Sequence, residues 1–357
     1  MASHSQTQRP SGGPDHSPFT VALDAMGGDY GPGEIVPGAI QAARDLGVGV
    51  LLVGDEGLVR QALARHSLNG LRLDVVPSQG VIEEMDHPLA AMREKPRASV
   101  VEAARLVKAG RAQAMVSMGS TGAAMATSAL VFGMLEGVER PAIGGPVLAP
   151  LSNAVLLDLG SNVDCRPSQM LGFGAIGVAF ARRVQGVHNP RVGILSVGSE
   201  EGKGNRQVKE VYHLFKQSSL NFVGNVEGID VFGDKADVIV CDGFVGNILL
   251  KFTEGLGTAL ARRLAEAASS ALPASAMHLL GAELSSMTNA VDLAGGGPLF
   301  GVNGIAVIGH GRSRAPSIAR AVALAKRAVD FGLVEAMQQE LAAIQGQIKR
   351  EAPEGPP

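Results

Sequence analysis

The stretch VGILSVGSEEGKGNRQVKE, residues 192–210, passes from strand to glycine turn to helix and decides the fold class. Val192, Ile194, Leu195 and Val197 carry the apolar character of a buried strand, and Gln207 to Phe215 has helical spacing. The turn between them holds a single lysine among glycines and resembles the nucleotide P-loop pattern G-x-x-x-x-G-K-[ST]. It departs from that pattern on inspection: Gly198 and Gly202 stand one residue too close, and Gly204 occupies the position of the magnesium-binding hydroxyl. Glu200 and Glu201 would also repel a polyphosphate. The turn therefore suits a small anion or a polarised carbonyl better than ATP.

The same grammar recurs along the chain. Apolar runs precede glycine or aspartate turns in TVALDAMGGDYGPG, VGVLLVGDEG, AMVSMGSTGAA, AVLLDLGSNVD, VGILSVGSEEGKGN, ADVIVCDGFVGN and IAVIGHGRS, and most are followed by alanine-rich helical segments. Such alternation predicts an α/β fold with a largely parallel sheet. In such sheets ligands bind beyond the carboxyl ends of the strands, where loop backbone and helix N-termini converge. The polar residues of these turns, Asp24, Ser120, Thr121, Asn162, Lys203, Asn247 and His310, are thus expected to line one common crevice.

Composition narrows the function classes. The chain has 357 residues, 46% hydrophobic and 18% charged, enough to bury a large core. We divide it into a disordered tail over 1–18, one catalytic α/β domain over 19–340, and a C-terminal tail over 341–357. A net charge of -3 supplies no general attraction for nucleic acid. The N-terminal MASHSQTQRPSGGPDHSPF lacks the apolar core of a secretory signal, and the two cysteines, Cys165 and Cys241, form neither a disulfide framework nor a zinc spacing. A reducing cytoplasm is the simplest setting.

Two segments invite a membrane reading. Residues 112–135 contain no charge, but Ser117, Gly119, Ser120, Thr121, Gly122, Thr127 and Ser128 read better as strand, glycine turn and buried helix. Residues 253–292 break the alternation with helices interrupted at Pro273. That segment is read either as a helical hairpin completing a dimer interface or as a peripheral surface for membrane or an acyl chain.

The turns carry the candidate chemistry. Backbone amides in DAMGGDYGPGE (Gly27, Gly28) and GSTGAA (Gly119, Gly122) can approach an anion closely, and helix N-termini favour negative charge. Lys203 can neutralise phosphate or stabilise the oxyanion of an attacked carbonyl, with Gly204 and Asn205 beside it. Asn247 is read as a neutral donor to the same oxygen or as a helix N-cap. His310 is read as a general acid or phosphate donor, or as a structural histidine. Asp24, Asp158, Asp164 and Asp242 fall in separate turns without metal-ligand spacing, so no metal is expected. No G-x-S-x-G elbow is present, which disfavours a covalent acyl-enzyme.

Taken together, DAMGGDYGP, MREKPRAS, STGA, LDLGSNVDC, EEGKGN, GNVEG, ADVIVCDGFVGN and PLFGVNG...GHGRS occur in an order that resembles the bacterial phosphate acyltransferases of phospholipid synthesis, from Val21 to Leu333. The resemblance implies a Rossmann-like fold related to the isocitrate and isopropylmalate dehydrogenases, a homodimer, and no cofactor. It implies transfer of an acyl group from acyl carrier protein to inorganic phosphate, the acyl phosphate then passing to a membrane glycerol-3-phosphate acyltransferase. Lys203, Asn247 and His310 are the expected catalytic residues. Two departures from the family's usual turns are Ser120, where asparagine is usual, and Ala98, in place of a serine. A basic face for the acidic carrier is expected at Arg93, Lys95 and Arg97 or at Arg262 and Arg263. The rival readings are a phosphotransacetylase acting on acetyl-CoA and a non-catalytic scaffold of lipid synthesis.

Overall fold

A computed structural model describes residues 19–148, 152–268 and 273–351; the expected tail over 1–18 lies outside the described residues. The first half of the chain runs β1 (Thr20–Asp24), α1 (Pro32–Leu46), β2 (Gly49–Gly54), α2 (Glu56–Leu63), β3 (Leu73–Pro77), α3 (Pro88–Glu94), α4 (Ser99–Lys108), β4 (Ala114–Ser117) and α5 (Thr121–Phe132). It continues through β5 (Ala142–Leu148), β6 (Ser152–Leu157), α6 (Pro167–Arg183), β7 (Arg191–Leu195), α7 (Arg206–Gln217), β8 (Asn221–Val226), β9 (Val238–Val240) and α8 (Gly243–Ala268). The remainder is α9 (Ala274–Thr288), α10 (Ala290–Ala294), β10 (Gly297–Phe300), β11 (Ile305–Ile308), α11 (Ala315–Asp330) and α12 (Leu333–Glu351).

The strands form one sheet in the order β3-β2-β1-β4-β11-β10-β5-β6-β9-β7-β8. Strands such as GVLLVG, AMVS, VIV and IAVI are buried along their whole length, as expected where helices cover both faces. Proline in the first turn of α1, α6 and α11 starts those helices without costing a backbone bond. Asn205 caps α7, its Oδ1 accepting the Val208 amide at 2.8 Å.

The sheet is largely parallel, yet its centre is not. The β11–β10, β10–β5 and β5–β6 pairings are antiparallel, whereas β3-β2-β1-β4-β11 and β6-β9-β7-β8 are parallel within each block. Three reversals leave the two blocks running in opposite directions. Strand–turn–helix grammar does not record that reversal, and it limits which turns can meet.

Several boundaries differ from expectation. β7 ends at Leu195, and Val197 is 84% exposed in the turn rather than buried in the strand. α8 begins at Gly243, so the helical segment starts before 253; Asp242, not Asn247, caps it, its Oδ1 accepting the Val245 amide at 2.8 Å. Pro273 is the N-cap of α9, as its interruption of the pattern suggested. Residues 112–135 fold as β4, turn and α5, and among the described residues no helix is long and apolar enough to cross a membrane. The C-terminal tail does not begin at 341: α12 continues to Glu351 and buries Leu341 and Ile344 in the main core.

Candidate functional site

At the carboxyl end of β1, the buried Asp24 organises a tight turn. Its Oδ1 accepts the amides of Met26 at 3.2 Å and Gly27 at 3.1 Å, while the Ser117 hydroxyl donates to its Oδ2 at 2.7 Å. Ser117 Oγ in turn accepts the Gly119 amide at 3.1 Å, so one carboxylate ties the turns after β1 and β4 together. Burial pushes the Asp24 pKa up, against the downward pull of these hydrogen bonds and one from Ser99. Glycine is required at position 27, where a Cβ would lie 2.7 Å from the Gly119 backbone nitrogen. The β11 turn joins the group: the Asp29 amide donates to Gly311 at 2.8 Å, and the Gly309 amide to Ser117 at 2.9 Å.

These three turns open into a cavity of about 810 Å3 against the face of the central strands. Gly27, Gly28, Gly119, Ser120, Thr121 and His310 line it from the first block. Ile143 of β5 and Gly297 of β10 contribute from the reversed centre. Gly160, after β6, and Asn247, Leu250 and Lys251 on α8 close the other side. Ser120 is the N-cap of α5, its Oγ accepting the Ala123 amide at 3.3 Å. Serine thus fills the capping role at the position where asparagine was expected.

The structure separates the remaining candidates from this cavity. Asn162 is buried beside it, donating from Nδ2 to Pro141 at 2.9 Å and to Asp158 Oδ2 at 2.9 Å. Asp158 mirrors Asp24: its carboxylate accepts the amides of Gly160, Ser161 and Asn162, and burial raises its pKa. Gly122 faces Pro88 in the first turn of α5. Lys203, Gly204 and Asn205 lie in the turn after β7 and do not line the cavity; Lys203 is exposed. Of the residues expected to share one crevice, Ser120, Thr121, Asn247 and His310 line this cavity, and Asp24, Asn162 and Lys203 do not.

Two cations on the cavity were missed in the sequence. Lys251 stands one helical turn after Asn247, and Arg312 two residues after His310. The nearly buried Glu254 approaches both, at 3.2 Å from Lys251 and 3.6 Å from Arg312. The i, i+4 spacing of Asn247 and Lys251 was the available signal, once both are placed inside one helix. Asp29, Glu83 and Glu84 also line the cavity, so its charge is mixed. Hydrogen-bond donors at the α5 N-terminus and cations on the facing wall suit an anion whose partner group is uncharged. Among the described residues no cluster of side chains suits a metal ion.

Comparison with known proteins bears on this geometry. The model of the family described as "Fatty acid synthesis protein" matches residues 19–336. The phosphate acyltransferase of Pelotomaculum thermopropionicum is 44% identical over 328 residues, covering 91% of this chain and 96% of the relative. That of Heliobacterium modesticaldum is 45% identical over 325 residues, covering 90% and 97%. Among solved structures, a phosphotransacetylase from Streptococcus pyogenes superposes with TM-score 0.58 at 14% identity, covering 91% of this chain and 94% of that one. A 4-hydroxythreonine-4-phosphate dehydrogenase from Klebsiella pneumoniae gives 0.51 at 14% identity, covering 89% and 99%. These two structural likenesses show a shared fold.

Proposed function

The chain belongs to the fatty acid synthesis protein family, whose curated relatives are phosphate acyltransferases, and from that premise we propose that it transfers a long-chain acyl group from acyl-acyl carrier protein to inorganic phosphate. The observation that carries the reading is identity of 44% along nine tenths of the chain, with both cavity walls inside the matched span. The cavity chemistry supports it. A thioester is already activated and phosphate is an ionised nucleophile, so no enzyme nucleophile is needed. A phosphate oxygen attacks the thioester carbon, the C–O bond forms as the C–S bond breaks, and the carrier leaves as a thiolate that takes up a proton.

In this reading the α5 N-terminus, His310, Lys251 and Arg312 hold phosphate, and Asn247 donates to the developing oxyanion. Lys203, Gly204 and Asn205 form a second proposed anion contact, presented by the β7 turn outside that cavity. Homodimer formation and peripheral membrane contact belong to the same proposal. Phe244, Ile248, Phe252, Leu256, Leu260 and Leu264 on α8 and Leu279 and Leu280 on α9 are exposed, an apolar surface that either partner would cover. Delivery of the product to a membrane glycerol-3-phosphate acyltransferase accords with the lability of an acyl phosphate in water.

The deciding experiment incubates the pure protein with palmitoyl-acyl carrier protein, with and without inorganic phosphate, and traps product with hydroxylamine. Phosphate-dependent hydroxamate and released carrier thiol are expected. Turnover of acetyl-CoA alone would move the assignment to the phosphotransacetylase reading, and silence with both would leave the scaffold.

A further inference from the structure

A second cavity, of about 530 Å3, adjoins the first, and Val291 lines both. Val291 itself is buried. Arg320 and Arg327 sit at the outer wall of this second cavity, seven residues apart on α11 and hence on one face two turns long. Both are exposed, and among the described residues neither meets a carboxylate; Arg320 donates only to Ser317 Oγ, at 2.9 Å.

Of the cations singled out in the sequence, Lys95, Arg97 and Arg263 are engaged by carboxylates. Lys95 is held by Asp86 at 2.6 Å and donates to Val81 at 2.9 Å. Arg97 approaches Glu102 at 3.7 Å, and Arg263 approaches Glu266 at 3.5 Å. On α11 itself, Lys326 meets Asp330 at 2.5 Å. Arg320 and Arg327 thus keep their full charge for a partner.

The lining of the cavity matches one kind of ligand. Gln185 and Asn153 supply amides, and Phe180 and Leu324 supply apolar surface. A pantetheine arm alternates amides with methylenes and can pair with both, whereas an acyl chain would match only the apolar part.

We infer that the second cavity is the docking entrance for an acidic carrier protein. The carrier's acidic face rests on Arg320 and Arg327, and its pantetheine arm passes Val291 to bring the thioester to the wall of Asn247 and His310. The inference rests on the acyl-transfer reading above. It differs from that reading in naming where the carrier approaches.

The test compares kcat/KM for palmitoyl-carrier protein and for carrier-free palmitoyl-pantetheine in the wild type and in Arg320→Glu/Arg327→Glu. The ratio of the two values is expected to fall at least about tenfold in the variant, mainly through KM for the carrier substrate. Raising salt should erode the wild-type ratio and leave the variant's nearly flat, and Arg320→Lys/Arg327→Lys should restore most of it. Equal losses on both thioesters, or no loss on either, would overturn the inference. Losses that grow with acyl length on both thioesters would put the acyl chain in this cavity and overturn it too. A wild type inactive on both thioesters would instead remove the acyl-transfer reading.

Discussion

The Ser117 hydroxyl donates to Asp24 Oδ2 at 2.7 Å, and this bond couples the turn after β1 to the turn after β4. Both turns line the cavity that faces α8, so the shape of the site depends on a carboxylate that does not itself line it. Asp24→Ala leaves the Met26 and Gly27 amides and the Ser117 hydroxyl without their acceptor. Since unsatisfied buried donors cost about 1–3 kcal/mol each, a stability loss of at least about 2 kcal/mol is expected in urea denaturation, with a raised KM for phosphate. A variant with wild-type midpoint and wild-type KM would show that the coupling does not matter.

The same carboxylate sets a pH dependence with a definite sign. Burial raises the Asp24 pKa above the ordinary 3.8, and Asp158 shifts the same way for the same reason. The folded chain therefore keeps these protons longer than the unfolded chain does. Their contribution is complete below 3.8 and is lost as pH rises through the folded values. Stability measured from 3.8 upward should decline over that window, and Asp24→Asn, which cannot ionise, should flatten the decline without abolishing it because Asp158 remains. An unchanged slope in Asp24→Asn would exclude Asp24 as a source.

Neither thiol is placed to react. Burial, reinforced by the Asp158 carboxylate, pushes Cys165 up to about 12, and burial likewise raises Cys241. Cys165 Sγ also donates to the Asn162 carbonyl at 3.2 Å. Native protein at neutral pH should resist iodoacetamide and then label at both cysteines after unfolding in guanidinium. Rapid labelling of the native chain would put a mobile opening at the base of the β6 turn.

What the residues disclose in advance is local. VGVLLVG and AMVSMGSTGAA announce strands and turns because apolar runs and glycines act within a few positions. The reversal at β10 and β5 escapes such reading, since pairing direction is a relation between distant segments and leaves no mark in PLF or AIGGPVL. Gly27, Gly119, His310 and Asn247 line one cavity although they come from blocks of opposite direction, and Lys203 and Asn205 are not among its lining residues. The end of the domain was misplaced for a different reason. EAMQQELAAIQGQIKR is rich in polar residues, yet Ala336, Met337, Leu341 and Ile344 recur at three- to four-residue spacing and bury one narrow stripe in the core.

Lys251 offers the sharpest test of the cavity. It lines the wall one turn from Asn247, and Glu254 holds it in register with Arg312 across the gap between α8 and the β11 turn. If phosphate sits between that wall and the α5 N-terminus, removing the ammonium takes away a charge-assisted contact to the nucleophile. Lys251→Ala should therefore raise KM for phosphate at least about tenfold while KM for the thioester changes little, and Lys251→Arg should recover part of the loss. Lys203→Ala, assayed in parallel, reports on the β7 turn: a loss of orders of magnitude there would give that turn a direct part in the reaction. Such a loss with Lys251→Ala at wild-type activity would move the phosphate site out of the cavity altogether, and with it the roles given to His310 and Arg312.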